Sequence, residues 1–306
     1  MSWDRVERLL GQENLQRLGG SRVVIAGLGS GGGYVALSLA MSGVGNFVLV
    51  DDDVMEETNI VRHIADRRYL GWNKAQAVAD LIRQRNTNAQ IEVREGRIED
   101  HLDVLDNADL LIGAVDGEQT KYSLNQACLA RNLTAIYAGV YERGEGGDVV
   151  VIHPYDGPCY ACWAAELREG LFQPTASENL DYGMVGPQGT LEAEPGLWLH
   201  VVKVASIQTD FALNELLAGS PQRPPYPANT IILANASMEI VDGEVSPPHS
   251  SLWVNIPRDP HCLVCGDEVH AAKNASQLTD DDQPVSDFSL DDLAQGSGIS
   301  IDSQKS

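Results

Sequence analysis

Arg22-Val23-Val24-Ile25-Ala26-Gly27-Leu28-Gly29-Ser30-Gly31-Gly32-Gly33 reads as a buried strand running into a glycine-rich turn and the start of a helix. Phe47-Val48-Leu49-Val50 then reads as a second strand, which ends on Asp51-Asp52-Asp53. Strand, turn, helix, strand is the opening βαβ unit of a nucleotide-binding α/β fold, and each part has a physical task. Gly27 permits the tight turn, and Gly29 lets the backbone approach a phosphate. The helix that follows offers unpaired N–H groups to that anion. Asp51, roughly 20 residues beyond the loop, is placed to accept hydrogen bonds from a ribose, with Asp53 the weaker candidate. Taken alone, this fingerprint points to NAD as readily as to any other nucleotide.

The residues beyond the acidic strand end change the nucleotide. Asn59-Ile60-Val61-Arg62 is followed by Gly71-Trp72-Asn73-Lys74. A dinucleotide enzyme has no use for these fixed cations. Attack on the α-phosphate of ATP does, because charge builds on the phosphoryl oxygens and on departing pyrophosphate. With Gly27/Gly29/Gly32, Asp51/Asp53, Asn59/Arg62, Gly71/Lys74 and Asp116 in this order, the chain resembles the ThiF/MoeB family, adenylating enzymes related to ubiquitin-activating enzymes. The resemblance runs from about Arg5 to Cys265 and departs only in minor ways, such as Met55 where the family has Val.

The resemblance implies an ATP-dependent adenylyltransferase that activates the C-terminal carboxylate of a small ubiquitin-like or sulfur-carrier protein. It implies that Arg62 and Lys74 neutralise the phosphates, with Asn59 beside them, and that Asp116 holds Mg²⁺. It further implies a homodimer in which Arg8, rather than Arg5, reaches the partner's ATP. Asp116 also has a plainer reading as the cap of the next helix. Other readings of the whole chain are adenylation of a different substrate, as in peptide or tRNA modification, a non-catalytic scaffold of the same fold, and an NAD dehydrogenase.

Four of the five cysteines form two pairs, Cys159-Tyr-Ala-Cys162 and Cys262-Leu-Val-Cys265. Two Cys-x-x-Cys pairs supply the four thiolates of a structural zinc site, with paired disulfides as the alternative. The family resemblance carries the same two pairs. Ubiquitin-type activators also use a catalytic cysteine between the pairs, and here no cysteine occurs from Trp163 to His261. The fifth, Cys128, falls on a helix beside Leu124, Ala127 and Leu129 and reads as a small core residue. Adenylation without a stable enzyme thioester is the expectation.

Composition agrees with a cytoplasmic enzyme. At 306 residues and 43% hydrophobic the chain has ample material for a core. The N-terminus, Met-Ser-Trp-Asp-Arg, does not read as a signal peptide, and the best apolar run, Tyr34 to Val50, is broken by Ser42-Gly43 and Gly45-Asn46. A formal charge of −23 argues against non-specific binding of DNA or RNA. Lysine occurs only at 74, 121, 203, 273 and 305, which suits either a salt-loving host or a biased genome.

Strand–helix alternation through the first half predicts a doubly wound, mostly parallel, Rossmann-like sheet with a zinc knuckle. Expected elements are a helix over 3–19, helices at 74–86, 118–132 and 197–217, and strands at 90–94, 109–115, 135–139, 230–234 and 251–256. Residues 1–269 would form the adenylation domain, with a crossover segment at about 163–196. Residues 270–306 read as a disordered acidic tail, in which Asp287 to Leu293 is either solvated or a short docking helix.

Overall fold

The structure is a computed structural model and describes residues 2–171, 196–241 and 243–271. Its elements in chain order are α1 (Asp4–Leu10), α2 (Gln12–Gly20), β1 (Arg22–Ala26), α3 (Ser30–Met41), β2 (Asn46–Asp51), α4 (Lys74–Arg85), β3 (Gln90–Glu95) and β4 (Leu110–Gly113). The second half holds α5 (Glu118–Arg131), β5 (Ala135–Val140), β6 (Gly146–Ile152), α6 (Tyr160–Leu171), α7 (Trp198–Leu216), β7 (Thr230–Ala234), β8 (Met238–Val241), β9 (Glu244–Ser246) and β10 (Ser251–Val254). Short 3₁₀ turns occupy Glu57–Arg62 and Arg67–Tyr69.

Eight strands form one sheet in the order β10-β7-β6-β5-β4-β1-β2-β3. The five strands from β3 to β5 pair in parallel, and β6, β7 and β10 continue antiparallel. The inner parallel strands are apolar on both faces because both faces are covered, whereas β3 at the edge carries Gln90, Glu92, Arg94 and Glu95. Along β1, Val23 and Ile25 enter one buried cluster while Val24 and Ala26 enter the other; in β2, Phe47 and Leu49 oppose Val48 and Val50 in the same way. The strand order reverses between β1 and β4, and ligands in open α/β sheets bind beyond the carboxyl ends of strands at such a point.

Between β2 and α4 the chain makes an excursion that carries Arg62. Its base is clasped: Val54 bridges Asn73, the Met55 N–H donates to the Trp72 carbonyl at 2.8 Å, and the Gly71 N–H donates to the Met55 carbonyl at 2.9 Å. Met55, Ala65 and Tyr69 then pack on Ala77 and Leu81 of α4 as a small buried cluster. Burying side chains of this size contributes about 1.5–3 kcal/mol each for the larger ones. The Tyr69 hydroxyl donates to Asp80 at 2.7 Å. A loop that would otherwise be free is thereby fixed to the sheet.

Several elements differ from the sequence expectation. The helix expected over 3–19 is two helices, broken at Gly11, whose φ of +83° leaves the helical region. The strand expected at 109–115 is confined to β4, and that at 251–256 to β10. Strand β6 was not anticipated, because it follows β5 directly and no helix separates the two as in the earlier units. The β8–β9 hairpin was likewise unread. The first part of the expected crossover segment is helical, as α6 extends to Leu171. The remainder of that segment and nearly all of the expected acidic tail, including Asp287 to Leu293, lie outside the described residues. Among the described residues, no helix is long and apolar enough to cross a membrane.

Candidate active site

The glycine-rich turn is built by close approach. Gly27 has φ +87°, and a Cβ there would lie 2.5 Å from the Ala114 carbonyl oxygen at the end of β4. At Gly32 a Cβ would lie 1.9 Å from the Gly27 carbonyl oxygen. Any side chain at either position would push α3 off the strand ends. Gly29, by contrast, has nothing within 4 Å of its missing Cβ and faces open space. It is the N-cap of α3 and supplies no side-chain acceptor, so the first-turn amides of the helix are left for an anion. Helix α7 roofs the turn, with Val201 and Ala205 against Gly31.

Asp51 is the joint between this turn and β2. One carboxylate oxygen accepts the Leu28 N–H at 2.6 Å and the other accepts the Asp53 N–H at 2.9 Å. Burial raises its pKa above the ordinary carboxylate value, opposed by those two amides and by Lys74. Asn73 caps α4 by accepting the Ala75 N–H at 2.9 Å, and its amide donates to the Asp51 and Asp53 carbonyls at 2.9 and 3.1 Å. That double tie sets the start of α4, and with it Lys74, against the end of β2. The largely buried Lys74 ammonium donates to Asp53 at 2.6 Å.

Arg62 ends the first 3₁₀ turn, whose start is held by a reciprocal cap in which the Asn59 side chain accepts the Glu56 N–H at 2.9 Å. Among the described residues no acidic group pairs with Arg62. Directly after it, the buried His63 ring donates from Nε2 to the Leu28 carbonyl at 2.7 Å and accepts the Ala65 N–H at Nδ1 at 2.9 Å. Across the reversal point stands Asp116, exposed beyond β4. It does not cap α5: Gly117 takes that position and no side-chain cap bond is made. The plainer reading of Asp116 thus fails, and its carboxylate is left open to solvent.

Gly27, Gly29, Gly32, Asp51, Asp53, Asn59, Arg62, Lys74 and Asp116 all line one cleft of about 1090 Å³. Arg8 does not. It sits exposed on α1, paired with Asp4 at 2.6 Å. Sequence reasoning missed Asn73, which lay unmarked inside Gly-x-x-Lys, and left His63 either packed or facing solvent, with no task in the site. It also missed Asp148 of β6, a cleft residue whose carboxyl burial pushes up to about 7. Asn73 had a signal, since Asn before a helical run is a capping residue. Asp148 had none while β6 was unread.

The four paired cysteines converge as expected. Their sulfurs all lie within 4.8 Å of one another, with separations of 3.8 Å for Cys159–Cys162 and Cys159–Cys262 and 3.4 Å for Cys162–Cys265. A tetrahedron of zinc–sulfur bonds of about 2.3 Å has edges of about 3.8 Å, so the donor set fits zinc. All five cysteines are free, which removes the disulfide alternative. The Gly266 N–H donates to the Cys262 carbonyl at 2.7 Å, and Arg258 donates to the Cys265 carbonyl at 2.7 Å, which orients the second pair. Cys128 is separate, buried against the sheet, and burial pushes its thiol up to about 12.

Comparison with known proteins agrees with this geometry. The ThiF family model matches residues 4–212. The chain is 31% identical over 194 residues to the SAMP-activating enzyme E1 of Haloferax volcanii, an alignment covering 62% of this chain and 71% of that one. It is 33% identical over 187 residues to the sulfur carrier protein ThiS adenylyltransferase of Escherichia coli, covering 58% and 71%. With the adenylyltransferase and sulfurtransferase MOCS3 of Caenorhabditis briggsae it shares 27% over 267 residues, spanning 84% of this chain and 57% of that protein. Among solved structures, Escherichia coli MccB with ATP superposes with a TM-score of 0.64 at 20% identity, covering 83% and 69%, a likeness of fold.

The thiol cluster generates the first prediction. Purified protein should carry about one zinc per chain, and Cys162→Ser should strip it and lower the melting temperature, because site formation is coupled to folding. Elemental analysis beside calorimetry checks this; a metal-free variant that melts like the parent would reject a structural zinc.

Proposed function

The chain belongs to the ThiF family of ATP-dependent adenylyltransferases, and we propose that it activates the C-terminal carboxylate of a small ubiquitin-like or sulfur-carrier protein. What carries the reading is Arg62, a cation without an acidic partner among the described residues, set beside Lys74 and the uncapped start of α3. Such an arrangement fits a polyanion. Asp116 lies across the same cleft, its carboxylate open, a hard oxygen donor of the kind Mg²⁺ takes. When bound, Mg²⁺ would offset charge on the phosphates.

ATP lies with its phosphates on the α3 amides, between Arg62 and Lys74. Asp51, already tied to the turn, keeps lone pairs for a ribose hydroxyl. An oxygen of the carrier's terminal carboxylate forms a bond to the α-phosphorus. The bond from that phosphorus to the bridging oxygen breaks, and pyrophosphate leaves with the electron pair. Arg62 and Lys74 meet the charge that develops, so most of the acceleration comes from positioning and preorganised electrostatics. The protein acts as a homodimer, with Arg8 supplied across the subunit boundary, in the cytoplasm, where reduced thiols remain available to the metal. The acyl adenylate passes to a nucleophile other than an enzyme cysteine, since Cys128 is buried with its pKa well above neutrality. The intact cation and carboxylate set argues against a non-catalytic scaffold.

Three measurements test the reading. Arg62→Ala and Lys74→Ala should each slow carrier-dependent pyrophosphate release by a factor on the order of 10²–10³ with the fold intact, the scale of one lost transition-state donor. Near-normal turnover would remove that residue from the site. Enzyme, ATP and carrier should give a carrier adenylate but no thiol-labile enzyme adduct on a non-reducing gel, and Cys128→Ser should leave adenylation unchanged; a labile band lost in Cys128→Ser would sink the thioester-free assignment. Mixing Arg8→Ala with Asp116→Ala subunits should recover activity that neither has alone, and no recovery after confirmed subunit exchange would count against a shared site.

A further inference from the structure

The phosphate cradle is made of two pieces of chain that the sheet does not join. One is the glycine-rich turn after β1. The other is the excursion between β2 and α4, which ends its first 3₁₀ turn on Arg62. The ring of His63 spans the gap between them. Its Nε2 lies 2.7 Å from the Leu28 carbonyl oxygen, and its Nδ1 lies 2.9 Å from the Ala65 amide nitrogen. A carbonyl only accepts and an amide N–H only donates, so Nε2 carries the proton and Nδ1 offers a lone pair. Both bonds are satisfied together by the neutral ring alone. The same Leu28 gives its own N–H to Asp51, so the histidine and the aspartate grip one residue of the turn from its two ends.

We propose that His63 is a positioning residue for adenylation: its neutral ring locks the Arg62 segment to the glycine-rich turn, and protonation of Nδ1 unlocks it. The proposal rests on the adenylation reading and adds a device to it. A proton on Nδ1 would face the Ala65 N–H and turn an accepting contact into a repulsive one. The charged groups facing the ring all oppose that proton or stand apart from it. Arg62 precedes it and Lys74 approaches from α4, both positive; Asp51 is committed to the Leu28 and Asp53 amides. Burial, with Lys74 and Arg62 behind it, holds the ring below the ordinary histidine value of 6.5. Because the folded-state value is depressed, the stabilisation is complete above pH 6.5 and is lost as pH falls below it toward the folded-state value. Glutamine offers an NH₂ donor group and a carbonyl acceptor on a flexible stem and does not titrate, so it can replace the clasp without the switch.

The test uses the full-length protein, Mg²⁺ and ATP, titrated calorimetrically from pH 8 to pH 5 in wild type, His63→Gln and His63→Phe. Once His63 protonates, wild-type affinity should fall by up to about tenfold per pH unit. His63→Gln should bind within a few-fold of wild type at pH 8 and lack that acid limb, which also subtracts the titration of ATP itself. His63→Phe should bind on the order of tenfold more weakly than wild type at pH 8, and the difference should close as wild type loses the clasp in acid. Independently of ATP, ¹⁵N-histidine spectra should place the His63 proton on Nε2 at pH 7.5, the resonance being identified by its absence in His63→Gln. An Nδ1–H tautomer, tighter ATP binding in acid, or an acid limb identical in wild type and His63→Gln would overturn the proposal. ATP binding at no pH would overturn the adenylation reading instead, with the tautomer still deciding whether the clasp exists.

Discussion

The carboxylate of Asp51 is the interaction on which the rest of the site depends. It ends β2, yet its two oxygens reach the amides of Leu28 in the glycine-rich turn and Asp53 in the departing chain. Three backbone paths are thereby held at one buried point. Asn73 adds the fourth path by donating to the Asp51 and Asp53 carbonyls from the start of α4. Removing the carboxylate would leave a buried amide without an acceptor, a cost of about 1–3 kcal/mol, and would release the turn from β2 as well. The raised pKa of Asp51 records the same tension between burial and the hydrogen bonds that justify it.

A chain of formal charge −23 nevertheless places Arg62 and Lys74 in one cleft. Net charge does not govern such a site, because exposed charges farther away than about 8–10 Å are screened at ordinary ionic strength. The groups that matter are near: Arg62, Lys74, the α3 amides and the acidic residues that offset them. Lys74 is partnered by Asp53 while Arg62 is not, so the two cations are not equivalent. Among the described residues Arg62 has no acidic partner, whereas Lys74 must share its ammonium with Asp53 or leave it when an anion arrives.

The cysteines divide along the same physical lines. Four sulfurs are drawn together by chain segments separated by 103 residues, at spacings that suit one tetrahedral cation. Cys128 is enclosed by the apolar cluster between α5 and the sheet, where burial disfavours a thiolate more than the charge of Arg131 favours it. Cys128 and three of the clustered cysteines are equally buried, so what sets Cys128 apart is that, among the described residues, no other sulfur lies beside it to share a metal.

Much of this protein was legible in its residues. The apolar runs at 22–26 and 46–50 and the glycines between them determine the βαβ start and the parallel half of the sheet through local periodicity, while the order of Asn59, Arg62, Lys74 and Asp116 pointed to cleft residues through the family resemblance. The two Cys-x-x-Cys pairs determine a four-sulfur cluster through their spacing. Tertiary structure decided the rest. Asn59 is a capping residue, Asp116 is not one, and Asp148 enters the cleft from a strand that follows β5 without a helix; no local pattern distinguishes these outcomes. Whether Arg8 meets a phosphate depends on a second subunit, since within one chain it turns to Asp4. His63 and Asn73 show the reason most directly. Their hydrogen bonds close gaps of 35 and 22 residues in sequence, and a hydrogen bond across such a distance exists only after the sheet has brought its strand ends together.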